Sequence, residues 1–293
     1  MKYLSAWMLI LLLALIWGSS FILMKKGLIG FPPEQIAGLR LAFACFALSP
    51  FHFIYYKKYK TLPWRFLIIV ALAGNGIPAF LFAYAQTGLN SATAGILNSL
   101  TPVFTLLLGC LVFSQRLNLY HLAGVVLGLI GAVSLLASRV TNGFTLDFEY
   151  GGWIILATLL YAVSVNTLRH RLNTYPPLMV ATLALSLAGV PAFFFLMGTD
   201  FFSRVTTPIG YSSVGYILIL SFAGTAVSLI LFNRLIQLSG ALSATSVTYL
   251  MPVVALFWGL LDHEEINWSH GIGLGLILIG VWLVNYTSHA KAS

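Results

Sequence analysis

Residues 92–109 read ATAGILNSLTPVFTLLLG and residues 242–259 read LSATSVTYLMPVVALFWG. At an offset of 150, Ala94, Leu100, Pro102, Val103, Leu106 and Gly109 fall on Ala244, Leu250, Pro252, Val253, Leu256 and Gly259 without a gap. One residue then drops out, and Asn118, His121, Gly124 and Gly131 fall on Asn267, His270, Gly273 and Gly280. Backward, Ala73-Gly74 matches Ala223-Gly224 and Leu81-Phe82 matches Leu231-Phe232. At an offset of 144, Trp17 meets Tyr161, Ser20 meets Ser164, Lys25 meets Arg169, and Pro32-Pro33 meets Pro176-Pro177. Aliphatic coincidences are cheap in an apolar chain, so the prolines, the glycines, Asn118 and His121 carry the argument. The chain is a duplicated unit, with one half over residues 1–139 and the other over 150–288.

The composition assigns the solvent. Of 293 residues, 59% are hydrophobic and 8% charged, against about a quarter charged in soluble domains, and the mean hydropathy is +0.95. The net charge of +8 is dispersed among short loops and forms no nucleic-acid footprint. Cys45 and Cys110 lie inside apolar stretches, without metal or disulfide spacing.

Apolar runs long enough to cross hydrocarbon predict ten helices, roughly over 4–24, 34–54, 66–87, 92–112, 120–138, 151–168, 177–197, 214–235, 242–261 and 270–288. The fold class is therefore an all-α integral membrane protein. The first run follows Lys2 and ends in small residues as a secretory signal does, but its match to the sixth run argues that it stays in the protein. With the N-terminus inside, ten Lys and Arg fall on the inner face and four, Lys25, Lys26, Arg139 and Arg204, on the outer. That bias predicts cytoplasmic termini. Five spans per half is an odd number, so the halves are expected as inverted-topology repeats around a central cavity, the architecture of secondary transporters.

Within the spans, no Asp or Glu lies near the midplane, which removes the simplest device for proton coupling. The six histidines fall near span ends or in loops and read as interfacial. Arg40 lies deep in the second span and reads either as an anion anchor or as a side chain reaching headgroups and carbonyls. Pro78, Pro102 and Pro252 fall mid-span, where each is expected to free a carbonyl beside a cavity. Asn75, Asn98 and Tyr249 lie within a turn of them as polar contacts or as interhelical hydrogen-bonding groups. Trp17, Phe80, Tyr161 and Trp258 are candidate apolar walls. Asn166, Asn233 and Arg234 suggest an inner vestibule, and the glycines of the fifth and tenth spans suggest close helix packing. No Walker, HExxH, GxSxG or CxxC sequence is present, so no cofactor, metal or familiar hydrolase site is expected.

WGSSFILMKKGL at 17–28, PPEQIAGLRLAFA at 32–44, LAGVVLGLIGAVSLL after Pro102, and PVVALFWGLLDHEEINWSHGIGLGLILIGV at 252–281 resemble the EamA family of the drug/metabolite transporter superfamily. The resemblance covers nearly the whole chain. It implies ten helices around a cavity lined by the third, fourth, eighth and ninth with the first and sixth, and export of amino acids or related metabolites. The family commonly carries Glu at the ends of the fourth and ninth helices; Glu264 or Glu265 keeps it here, while Gln115-Arg116 replaces it in the first half.

The resulting expectation is a monomeric, multi-pass carrier of the bacterial inner membrane, exporting an amino acid or similar metabolite by facilitated alternating access. Its partners would be a small-molecule substrate and the lipid bilayer, with no nucleic acid. A phosphorylated-sugar or nucleotide-sugar exchanger is an alternative that would want several converging cations. A membrane-embedded enzyme would have to use the His263-Glu264-Glu265 group, which reads better as an outer-loop cap.

Overall fold

A computed structural model describes residues 2–113, 118–137, 148–240, 244 and 247–289; Gln115-Arg116 and Arg139 lie outside these. The described residues are helical with no strand. The helices are α1 (Lys2–Gly27), α2 (Pro33–Leu48, prolonged by short turns to Tyr59), α3 (Trp64–Ala85), α4 (Ser91–Phe113) and α5 (Leu119–Ala137). The second half supplies α6 (Phe148–Thr167, prolonged to Leu172), α7 (Pro177–Met197), α8 (Pro208–Ser239), α9 (Val247–Leu261) and α10 (Trp268–His289). Among the described residues seven helices are long and apolar enough to cross a membrane: α1 to α4 and α6 to α8. The apolar stretches of α5, α9 and α10 are shorter.

Large apolar side chains face outward along the bundle, including Leu11, Phe46, Leu111, Phe194 and Leu260. A surface of that kind, on helices whose backbone groups bond within their own segment, suits lipid rather than water. The chain is a multi-pass membrane protein.

Local chemistry sets the helix starts. Pro33 and Pro177 open α2 and α7 in the first turn, where the missing N–H costs nothing. The Asn90 side chain caps α4 by accepting from Thr93 N at 2.8 Å, and Thr207 caps α8 by accepting from Gly210 N at 3.0 Å. At the start of α5, Asn118 Oδ1 accepts from His121 N while His121 Nδ1 accepts from Asn118 N. His270 Nδ1 accepts from Asn267 N at the start of α10 in the same way. The two matched histidines are thus helix-capping groups, and His270 is buried rather than interfacial, with Nε2 3.1 Å from Thr93 Oγ1.

Two of the three mid-span prolines begin helical segments rather than interrupting them. Pro102 lies in the first turn of a helical segment that restarts at Thr101, after a break at Ser99–Leu100. Pro78 lies in the first turn after a π-helical segment, and Pro252 alone of the three sits inside an α-helix. The irregularities that matter are two π turns, Leu72–Gly76 in α3 and Phe222–Val227 in α8, which begin at positions related by the offset of 150. Each inserts a residue into the helical register. In both, a side chain reaches the carbonyl five residues back: Asn75 Nδ2 to Val70 O at 3.4 Å, and Thr225 Oγ1 to Leu220 O at 3.3 Å.

Close crossings at glycine hold the halves together. A Cβ at Gly224 would lie 2.7 Å from Ser20 Oγ, and one at Gly74 would collide with Ser164 Oγ, so α1 crosses α8 as α6 crosses α3. The serines and glycines of these crossings are the pairs that the sequence offsets match. α5 packs along α10 with backbone against backbone. A Cβ at Gly131 would lie 2.9 Å from Gly273 O, and one at Gly280 would lie 2.7 Å from Gly128 N.

Candidate functional site

A cavity of about 120 Å³ opens where these crossings meet, bordered by α1, α2, α3, α4, α6, α8 and α9. At roughly one water per 10–15 Å³ in this measure, it has room for on the order of ten waters or one small metabolite. Of the candidate contacts read from the sequence, Trp17, Arg40, Asn75, Asn98 and Tyr161 line it.

Two aromatic pairs form its walls. Trp17 meets Phe232 edge-on with centroids 5.0 Å apart, and Tyr161 stacks on Phe82 at 5.8 Å with a 23° interplanar angle. Trp17 matches Tyr161 and Phe232 matches Phe82 in the two sequence offsets, so the pairs occupy equivalent places. The Trp17 indole N–H reaches Gly224 O and Ser228 Oγ, both at 2.9 Å, and so binds α1 to the π turn of α8. Phe82 and Phe232 were visible in the sequence as a matched Leu-Phe pair, without a signal that they faced inward.

Arg40 breaks the equivalence, since its counterpart is Ala184. Its Nε donates to Thr225 Oγ1 at 2.8 Å, and the guanidinium reaches the Tyr161 hydroxyl. The Thr225 hydroxyl donates its own proton to Leu220 O, which leaves the oxygen free to accept from Arg40. The π turn of α8 therefore presents the group that fixes the guanidinium. No carboxylate is among the described residues lining the cavity. Asn98 is buried; its Nδ2 approaches Met251 Sδ at 3.7 Å, and its Oδ1 has no hydrogen-bond partner among the described residues.

The remaining candidates stand elsewhere. Phe80 packs edge-on against Phe195 at 6.4 Å. Tyr249 donates its hydroxyl to Val281 O of α10 at 2.6 Å, and Trp258 donates its indole N–H to Ser19 Oγ at 2.8 Å. Pro78, Pro102 and Pro252 are outside the lining as well. Asn166 holds Thr105 O and Ala162 O at 3.0 Å, while Asn233 joins Leu172, Ile236 and Gln237 around a second, smaller cavity at the opposite end from Gly27.

The end of the bundle bearing Gly27 is closed by charge. Lys25 Nζ lies 2.8 Å from Asp262 Oδ2 and 2.7 Å from Glu264 Oε1, and Lys26 pairs with Asp262. Glu264 also accepts from Ser91 N at 3.0 Å and Ala92 N at 3.2 Å, so it neutralises the first turn of α4. Burial works to raise the Glu264 pKa, but the Lys25 ammonium and the two amides hold it below the ordinary glutamate range. Asp262 behaves likewise, depressed by Lys25 and Lys26 against its own burial. His263, at φ 54, turns the chain so that Glu264 N reaches Gly259 O at 2.9 Å and His263 N reaches Leu260 O at 3.2 Å.

The sequence profile of the EamA-like transporter family matches residues 4–137 and 151–286. A "Probable amino-acid metabolite efflux pump" of Salmonella typhimurium is 27% identical over 284 residues, covering 94% of this chain and 93% of that one. An "Uncharacterized inner membrane transporter YedA" of Escherichia coli is 25% identical over 281 residues, covering 93% and 88%. A solved crystal structure, 19% identical, superposes with a TM-score of 0.68 over 99% of both chains, a likeness of fold.

Proposed function

We propose, from the premise that the chain belongs to the EamA-like transporter family, that it is a secondary carrier exporting amino acids or similar small metabolites across a bacterial inner membrane. It works by alternating access and without a coupling ion. Members of the family are transporters, not enzymes. The observation that carries the reading is the cavity at the crossing of the halves, lined by one guanidinium, the buried Asn98 side chain and two aromatic pairs.

Support for two inverted five-helix repeats comes from the recurrence of contacts: Ser20 on Gly224 and Ser164 on Gly74, Trp17 with Phe232 and Tyr161 with Phe82. Related by an axis in the membrane plane, such units can exchange conformations and expose one site to either side. In this conformation the ion pairs of Lys25 with Asp262 and Glu264 shut the outer end. Export requires them to part. With Arg40 the one cation among the described lining residues, a site for multiply charged sugar phosphates is poorly supplied.

The experiment is solute transport by the purified chain in liposomes. Arg40→Gln and Asn98→Ala should each lower uptake at least about tenfold, the weight of one charge-assisted or buried hydrogen bond. Unchanged uptake in both variants overturns the site.

A further inference from the structure

We infer that the cavity takes a monoanionic carboxylate bearing a neutral hydrogen-bond donor, in preference to a zwitterion, and that the membrane potential drives its export. The inference rests on the transport reading above and narrows the substrate class within it.

Arg40 stays protonated under any physiological condition. Around it the structure supplies a threonine hydroxyl and a tyrosine hydroxyl, both neutral, and no carboxylate among the described residues lining the cavity. A guanidinium held within the membrane without an opposite charge beside it is costly even where cavity water reaches it, and a bound carboxylate relieves it with parallel N–H···O bonds. A monoanion brings the site to neutrality. A zwitterion delivers the same carboxylate but leaves one net positive charge in the cavity, with no anion among the described lining residues to meet the ammonium.

The second observation is Asn98. Its Oδ1 is buried and without a hydrogen-bond partner among the described residues, in a residue only 4% exposed that lines the same cavity. An orphaned acceptor of this kind costs about 1–3 kcal/mol until a donor arrives. An α-hydroxyl or an acylated amide N–H supplies that donor without adding charge. The rings of Trp17, Phe82, Tyr161 and Phe232 supply an apolar enclosure for the rest of the molecule.

A direction of transport follows. Because Arg40 stays with the protein, each crossing moves the ligand's one negative charge. An inside-negative membrane pushes that charge outward, with about fiftyfold accumulation for about 100 mV. Export then needs neither a coupling ion nor the midplane acid that the spans lack.

The test compares 3-phenyllactate, phenylalanine and 3-phenylpropionate, which share a skeleton and differ in hydroxyl, ammonium or hydrogen at one carbon. The full-length protein should be stabilised against heat most by 3-phenyllactate, with an affinity about tenfold above that of phenylalanine. In liposomes, labelled 3-phenyllactate uptake should accelerate when a potassium gradient with valinomycin makes the interior positive, and slow when it makes the interior negative. Arg40→Gln should abolish binding, and Arg40→Lys should weaken it while keeping the response to potential. Asn98→Leu should erase the preference for 3-phenyllactate over 3-phenylpropionate. Equal or tighter binding of phenylalanine, or uptake indifferent to potential, overturns the inference and leaves the carrier reading standing. So does a screen in which cations or sugars bind and all three carboxylates do not. A protein that moves no solute of any class overturns the carrier reading itself.

Discussion

Glu264 and Lys25, 239 residues apart in the chain, meet at 2.7 Å, and the same Glu264 oxygen accepts from the first amide of α4. One side chain therefore joins the end of α1, the loop after α9 and the start of α4. The Glu264 side chain is 1% exposed while Lys25 is 35% exposed, so a buried carboxylate is paired with a cation that still reaches solvent. Glu264→Gln keeps the shape and removes the charge. It should lower stability by about 1–2 kcal/mol, the weight of a charge-assisted hydrogen bond, because Lys25 is 35% exposed and keeps Asp262. It should also favour opening at this end, and the readout is faster alkylation of a cysteine placed at Ser20 by an impermeant reagent from outside. An unchanged alkylation rate removes the gating role and leaves a structural one.

The same cluster gives a pH signature. Glu264 and Asp262 have folded pKa values depressed below the ordinary 4.5 and 3.8, so their contribution is complete above those values. It is lost as pH falls through the depressed values. The difference in melting temperature between the wild type and Glu264→Gln should stay constant from pH 7 to about pH 5 and shrink below about pH 4. A difference that shrinks already between pH 7 and 6 assigns the loss to another group.

Gly74 and Ser164 should be coupled. Gly74→Ala forces a Cβ into the Ser164 hydroxyl and should cost about 1–3 kcal/mol by overpacking. Ser164→Gly in the same chain should restore most of that, which a double-mutant cycle of melting temperatures reads directly. Gly224→Ala with Ser20→Gly should repeat the pattern in the other half, since the approach there is also tight, at 2.7 Å. Additive costs in either cycle mean that the crossing relaxes elsewhere.

His263 holds a left-handed conformation that suits glycine. His263→Gly should stabilise the protein by about 0.5–1 kcal/mol, because the relief of a strained φ exceeds the added freedom of the unfolded chain. The readout is a melting temperature raised without loss of uptake.

The helical character and the membrane solvent were legible in the sequence because both depend on composition and run length. The internal sequence match stands out because Pro, Gly, Asn118 and His121 fill positions where geometry allows few residues. Arg40, Trp17 and Tyr161 stood out as costly or bulky side chains deep in spans, and they line the cavity. Facing was less legible. A π turn adds a residue to the register, so the phase of every position after Gly76 rotates by about 100° relative to an uninterrupted helix. Phe82 lines the cavity while Phe80, two residues and about 200° away around the same helix, packs on Phe195. Tyr249 misses by one position: Thr248 faces in, and the tyrosine hydroxyl turns to α10. Thr225 gave no signal, since its role depends on an Arg40 contact across 185 residues and on a bulge that no motif announces.

The glycine contacts between α5 and α10 bear on biogenesis. Each half ends in a helix whose tightest neighbour is the corresponding helix of the other half. The ribosome delivers the first of these long before the second, so Gly124 and Gly128 must wait in lipid, unclasped, until Gly273 and Gly280 arrive. Maturation is thus a late event, and truncation just before α10 should leave an inserted but loosely assembled chain that membrane proteases clear.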